Sequence, residues 1–376
     1  MKPINRELAR LAKLLAPLWY VLRPFGRQKV LIPPPRSILV FDFHLIGDIV
    51  MLTPLLKCLK TAYPQARLVL VAGVWANDIL HGTDLVDEII PFAAPWVKYK
   101  QGWGGIVSCY HVVKQLRKQT WDLGIEVRGD IRQILLLWLT GARRRIGFDF
   151  TGGGALLTDV VFDDGVMAHL TQHHQRICEH LGIWQRDEKY LPFLKLTAAE
   201  QAQAQNIVPF IGFHFGASLP LRRLPQGEIV QLLSKFEFID CRLVVFLTPD
   251  QLDFDAVLAE LPAGMPARIE LFAGSLRQLV TTIASAKHCY FMDSGPAHIS
   301  VALSVPTTVF FGPAEPMYVF PVGDNAELII NPDLSCRPCD QIHCTHQAHQ
   351  FCMKGLANRV VLPSFKAIKL REVHGG

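Results

Sequence analysis

The apolar positions of this chain fall into short, nearly continuous runs separated by longer stretches of helical period, and the series occurs twice. Ser37-Ile38-Leu39-Val40-Phe41-Asp42-Phe43 has the character of a strand buried on both faces. The turn from His44 to Asp48 leads into a helix over residues 49–63. Strands are expected at 67–71, 88–91, 121–127 and 143–148, with helical patterns at 75–82 and 131–140 between them. A second series gives strands at 210–216, 243–247 and 269–272. In its sharpest unit, Tyr290-Phe291-Met292 runs through Asp293-Ser294-Gly295-Pro296 into a helix, and 305–311 follows as the next strand. Alternation of this kind specifies an α/β fold of mostly parallel sheets with helices on both faces.

The punctuation between these runs sets the expected domains. Residues 1–35 form a basic amphipathic extension, with Ile4, Leu8, Leu11, Leu15, Leu18 and Leu22 at helical spacing and a kink at Pro17. Residues 36–190 form the first domain, 191–205 a polar linker, 206–360 the second domain and 361–376 a tail. The aromatic, basic and Gly-rich segment 96–105 is expected as an exposed loop able to meet an acceptor.

Composition narrows the classes. Half of the 376 residues are hydrophobic, which excludes a disordered chain. No uninterrupted apolar run reaches the roughly 18 residues of a spanning helix. The chain is therefore expected to be soluble and cytoplasmic, or peripheral on an anionic membrane through its basic N-terminus. A net charge of +5 without basic clusters elsewhere gives no support for nucleic-acid binding. Of the nine cysteines, five lie in apolar or helical patterns, while Cys336, Cys339, Cys344 and Cys352 cluster near His343, His346 and His349. Their spacing differs from a paired zinc ribbon, so a local loop of free or reversibly paired thiols is the preferred reading over a metal site.

The candidate chemistry sits in the turns. At 293–298, Asp293 and Ser294 suit a helix cap, Gly295 allows close backbone approach, Pro296 fits the first turn and His298 lies within it. Free N–H groups at such a terminus favour anions. No G-x-G-x-x-G follows the first strand of either half, which argues against a dinucleotide cofactor.

Taken together, Phe43-His44-Leu45-Ile46-Gly47-Asp48-Ile49-Val50 with Thr53-Pro54, His214-Phe215-Gly216-Ala217-Ser218, Arg223-Leu224-Pro225, and Asp293-Ser294-Gly295-Pro296-Ala297-His298 with Phe311-Gly312-Pro313 resemble the glycosyltransferase family that contains the lipopolysaccharide heptosyltransferases. The resemblance runs from about residue 36 to 360. It implies a GT-B arrangement, two Rossmann-like domains facing across a cleft. It also implies inverting, metal-independent transfer from a nucleotide-diphosphate sugar, ADP-heptose above others, to a bacterial surface glycolipid, with no cofactor.

Such a displacement needs a base for the acceptor hydroxyl and positive charge for the departing diphosphate. Asp48 is the candidate base, and its competing role is a helix cap. Arg223, with Arg222 beside it, stands where the family commonly carries Lys, and an arginine fork grips phosphate with two parallel bonds. Ser218 is placed for a phosphate oxygen or a turn. The resemblance gives Asp293 a sugar or ribose contact, Ser294 and Gly295 phosphate contacts, and Asp250 a donor contact, while His298 is either a donor contact or a packed helix residue. His44 replaces a small polar residue of relatives, which makes it a candidate for acceptor binding. The rival readings are a sugar-nucleotide epimerase or hydrolase, and a catalytically silent sugar-nucleotide-binding scaffold.

Overall fold

The structure, a computed structural model, describes residues 34–97, 103–163, 168–184, 189–247, 254–332, 334–339 and 343–363. The expected amphipathic helix at 1–30 and Asp250 lie outside the described residues. The chain divides into two compact units between Phe193 and Leu194.

In the first unit the elements run β1 (Ser37–Asp42), α1 (Ile46–Ala62), β2 (Arg67–Ala72), α2 (Ala76–Leu80), β3 (Glu88–Pro91), α3 (Trp103–Leu116), β4 (Leu123–Glu126), α4 (Ile131–Leu139), β5 (Arg144–Gly147), β6 (Asp159–Val160) and α5 (Leu170–Leu181). The six strands form one parallel sheet in the order β3-β2-β1-β4-β5-β6. β1 is central, and its residues from Ile38 onward are buried, which is why its sequence is apolar on both faces. Helix α1 begins at Ile46, three residues earlier than the sequence pattern indicates, and it contains Pro54. A proline there cannot donate to the carbonyl of Val50, and the Thr53 hydroxyl donates to that carbonyl instead, at 2.8 Å.

One expectation, the exposed loop at 96–105, is corrected at its two ends; residues 98–102 lie outside the described residues. Trp96 is not on an exposed loop: its ring packs 6.3 Å from that of Phe43 and 6.4 Å from that of Phe92. Helix α3 starts at Trp103, and its buried Val112 and Leu116 tie it to the core where Trp121 donates to the Leu116 carbonyl.

The second unit contains α6 (Ala198–Asn206), β7 (Phe210–His214), α7 (Gln226–Ser234), β8 (Arg242–Phe246), α8 (Phe254–Ala259), β9 (Ile269–Phe272), α9 (Leu276–Ile283), β10 (Ala286–Met292), α10 (Gly295–Ala302), β11 (Thr307–Phe311), α11 (Pro316–Val319), β12 (Ala326–Ile330) and α12 (Leu356–Arg359). Its strands are also all parallel, in the order β12-β11-β10-β7-β8-β9. The division between the units falls within the stretch 191–205 expected as a linker, and from Ala198 onward that stretch is the capped helix α6. Thr197 and Glu200 form a capping box, and Arg277 of α9 pairs with Glu200.

Counted within each unit, both sheets have the order 3-2-1-4-5-6 of doubly wound folds. In such sheets ligands bind beyond the carboxyl ends of the strands, where the winding reverses. That point lies between β1 and β4 in the first unit and between β7 and β10 in the second.

Candidate functional sites at the two switch points

In the first unit, Asp42 ends β1 and Glu126 ends β4, and both are fully buried. Charges in a core must be compensated. Glu126 accepts the backbone N–H groups of Arg128 (2.9 Å) and Gly129 (2.6 Å). Burial, reinforced by the nearby Asp130 and Asp42, still pushes its carboxyl well above the ordinary value. Burial would raise Asp42 too, but the hydrogen bond and charge of His44, with Arg128 and His174 behind them, hold it below the usual range. His44 lies 3.2 Å from Asp42 through Nδ1, and its N–H donates to the same oxygen.

Asp48 is the third residue of α1. Its Oδ2 accepts the Leu45 N–H at 2.8 Å, and its Oδ1 pairs with Arg128 Nη1 at 3.1 Å. The two sequence readings are therefore compatible, because one oxygen closes the helix end while the other points to a cation at the switch point. The side chain retains 14% of its exposure. His174, from α5, completes the group, with Nδ1 3.2 Å from the Met51 carbonyl; burial pushes it down to about 4.

In the second unit, His214 ends β7 opposite Phe291 of β10, and burial, followed by the charge of Arg223, pushes its imidazole down to about 4. The Ser294 hydroxyl donates to the Met292 carbonyl at 3.0 Å and lies 3.4 Å from His214 Nδ1. Ser294 occupies the cap position of α10 but does not cap through its side chain, which corrects that expectation. Asp293 is not a cap either: its N–H continues the sheet by donating to Phe310, and its buried carboxylate pairs with Arg222 Nη1 at 2.9 Å. Gly295 opens α10, and His298 is buried within it.

Arg223 holds the loop after β7. Its Nε and Nη2 donate to the Ala217 carbonyl at 3.2 and 3.1 Å, bracing the loop that carries the exposed Ser218. The structure thus gathers His214, Arg222, Asp293, Ser294 and Gly295 at one strand edge, with Ser218 on the loop held by Arg223.

Asp42, Glu126, Arg128 and His174 were not singled out as functional by the sequence. The signal was there for the two acids, each a charge at the end of an otherwise apolar strand. The four clustered cysteines are free, and Cys336, Cys339, Cys344 and Cys352 line a small cavity of about 30 Å³. Among the described residues, no group of three or more His, Cys, Asp or Glu side chains is arranged to hold a metal ion.

Two doubly wound parallel domains in one chain, with polar side chains collected at each switch point, are the architecture of the GT-B glycosyltransferases. The chain belongs to glycosyltransferase family 9 (heptosyltransferase), whose family model matches residues 109–349. It is similar to lipopolysaccharide heptosyltransferase 2 of Escherichia coli K12, 26% identical over 311 residues that cover 78% of this chain and 87% of that protein. In fold it is similar to E. coli ADP-heptose LPS heptosyltransferase II, with a TM-score of 0.65 and 23% identity over 78% of this chain and 90% of that one. The E. coli heptosyltransferase WaaC with ADP-2-deoxy-2-fluoro heptose gives a TM-score of 0.63 at 18% identity, over 79% of this chain and 93% of that chain.

Proposed function

We propose that this family 9 enzyme transfers heptose from ADP-heptose to a lipopolysaccharide core or a related surface glycolipid, with inversion and without a metal. The donor and acceptor classes rest on the curated relative, a lipopolysaccharide heptosyltransferase, and on the solved relative holding an ADP-heptose analogue. The observation that carries the mechanism is the Asp48 carboxylate, fixed at a switch point by the Leu45 N–H and Arg128.

In this reading Asp48 takes the proton of the acceptor hydroxyl as its oxygen attacks the anomeric carbon. The bond from that carbon to the diphosphate oxygen breaks, and its electron pair leaves with ADP. Arg222 and the α10 terminus at Ser294 and Gly295 stabilise the charge that develops there. Arg223 presents Ser218, and Asp293 orients Arg222 and meets a hydroxyl of the donor. Asp250 and His298 are further donor contacts, and His44 meets the acceptor. The enzyme works from the inner face of the inner membrane, where its acceptor is carried.

Asp48→Asn tests the reading. Turnover of ADP-heptose with a heptose-deficient glycolipid should fall by roughly 10²- to 10⁴-fold, while affinity for the donor is kept. A variant that turns over at near the parent rate removes Asp48 from the mechanism. ADP release from donor alone, at a rate indifferent to acceptor, would make the chain a hydrolase. Activity should also survive EDTA, and a loss restored by a divalent ion would overturn the metal-free step.

A further inference from the structure

Helices α3 and α4 of the first unit leave an apolar groove between them, with a volume of about 720 Å³, within the roughly 300–1,000 Å³ range of small-ligand sites. Its floor includes Ile106, Tyr110, Val113 and Leu139. Val112 and Leu116 face the core, so α3 has a second apolar stripe with no core to cover it: Ile106 is 67% exposed and Tyr110 61%. The same stripe continues into Lys114 on the last turn of α3, and Arg117 and Lys118 follow in the turn after it, all three lining the groove. Among the described residues no carboxylate pairs with any of these three. Lys114 lies 5.9 Å from the centre of the Tyr110 ring. Among the described residues that line the groove, the other charged one, Arg132, is also basic, and it pairs with Asp130.

We propose that this face of α3 and α4 docks on an anionic phospholipid surface, with Ile106 and Tyr110 in the acyl boundary, an acyl chain in the groove, and Lys114, Arg117 and Lys118 on the phosphates. Charge complementarity selects this occupant. A helix with exposed apolar residues and only Lys and Arg beside them fits the headgroup boundary of such a layer. The chain's own residues 1–30 carry seven Lys and Arg against one Glu, so the groove rim repels them. The dock goes beyond the transfer reading, because it needs neither donor nor Asp48.

The test uses the full chain, without any sugar nucleotide or acceptor, so its outcome is independent of whether transfer occurs. Sedimentation with vesicles of phosphatidylcholine alone should show little binding, and inclusion of phosphatidylglycerol should bring the protein down. Lys114→Ala, Arg117→Ala and Lys118→Ala together should weaken this partition by roughly a hundredfold, about fivefold for each charge. Ile106→Ser with Tyr110→Ser, at exposed positions, should weaken it as well. Hydrogen exchange of the unaltered protein provides a readout that needs no variant: backbone amides of α3 should slow when anionic vesicles are added. Equal binding to neutral vesicles, no binding to either kind, a triple variant that sediments like the parent, or unchanged exchange in α3 each overturns the proposal.

Discussion

His174 gives the sharpest test of the first switch point, because its state follows from where α5 packs. The ring is wholly buried, with Nδ1 against the Met51 carbonyl of α1. Burial pushes the imidazole down to about 4, and the Arg128 cation acts in the same direction while Asp42 and Asp48 oppose it. In the unfolded chain it titrates near 6.5. Between those values the unfolded chain binds a proton that the folded chain does not. Its contribution is therefore complete above about pH 6.5 and is lost as pH falls toward 4. Linkage with these two values gives a loss of about 2 kcal/mol at about pH 5 relative to neutral pH. His214 and His288 are also pushed down to about 4 by burial and act in the same window. Glu126 acts against them, since its raised carboxyl takes up a proton in the folded state first. The lowered carboxylates, such as Glu200 at about 2, matter only below about pH 4.5. The effect of His174 is isolated by difference. Urea unfolding of the parent and of His174→Gln, whose amide can still donate to Met51, should be followed from neutral pH to about pH 5. The variant should retain about 2 kcal/mol more of its neutral-pH stability than the parent does. Two parallel curves would show that the histidine is not held neutral in the fold.

Further outcomes follow from the second unit. Asp293→Ala leaves Arg222 without the carboxylate it pairs with and should cost about 2–3 kcal/mol. The Arg222→Ala, Asp293→Ala double variant should regain part of this in thermal denaturation, and strictly additive losses would deny the coupling. Arg223→Ala should release the Ser218 loop and weaken ADP binding by about tenfold; unchanged affinity by calorimetry would remove Arg223 from the donor side. A methyl group at Gly312 would sit 2.2 Å from the Met353 sulfur, so Gly312→Ala should lower stability by about 1–3 kcal/mol in urea unfolding. A midpoint equal to the parent's would mean that Met353 moves aside freely.

What the sequence made legible was whatever depends on burial of consecutive residues. β1, β7 and β10 are read directly because both faces of each are covered. Helix α6 leaves no apolar pattern to read because none of its side chains is buried; it is held by the Thr197–Glu200 box and by Arg277, which lies 77 residues from Glu200. Aromatic and glycine residues made the start of α3 resemble a loop, although Val112 and Leu116 anchor its inner face. At the candidate sites, strand-turn-helix punctuation was enough to single out Asp48 and Asp293 as candidates. It was not enough to pair them, since Arg128 reaches Asp48 across 80 positions only because β4 lies next to β1. Nor does composition say which of two adjacent arginines meets Asp293. That is settled by the short turn Pro220–Arg222, which leaves Arg222 on the carboxylate and Arg223 on the Ala217 carbonyl.

The buried titratable groups that end strands follow a simpler rule than either motif. Asp42, Glu126 and His214 are each the last residue of an apolar strand flanking a switch point, and each is buried. A hydrophobic strand has no structural use for such a side chain at its carboxyl end, and burying it costs free energy that the fold must offset with His44, with the Arg128 and Gly129 N–H groups, or by holding the imidazole neutral. That cost is incurred at both reversals of strand order, where a doubly wound sheet opens to ligand. It ties the charge pattern of the sequence to the sites more closely than the turn motifs alone.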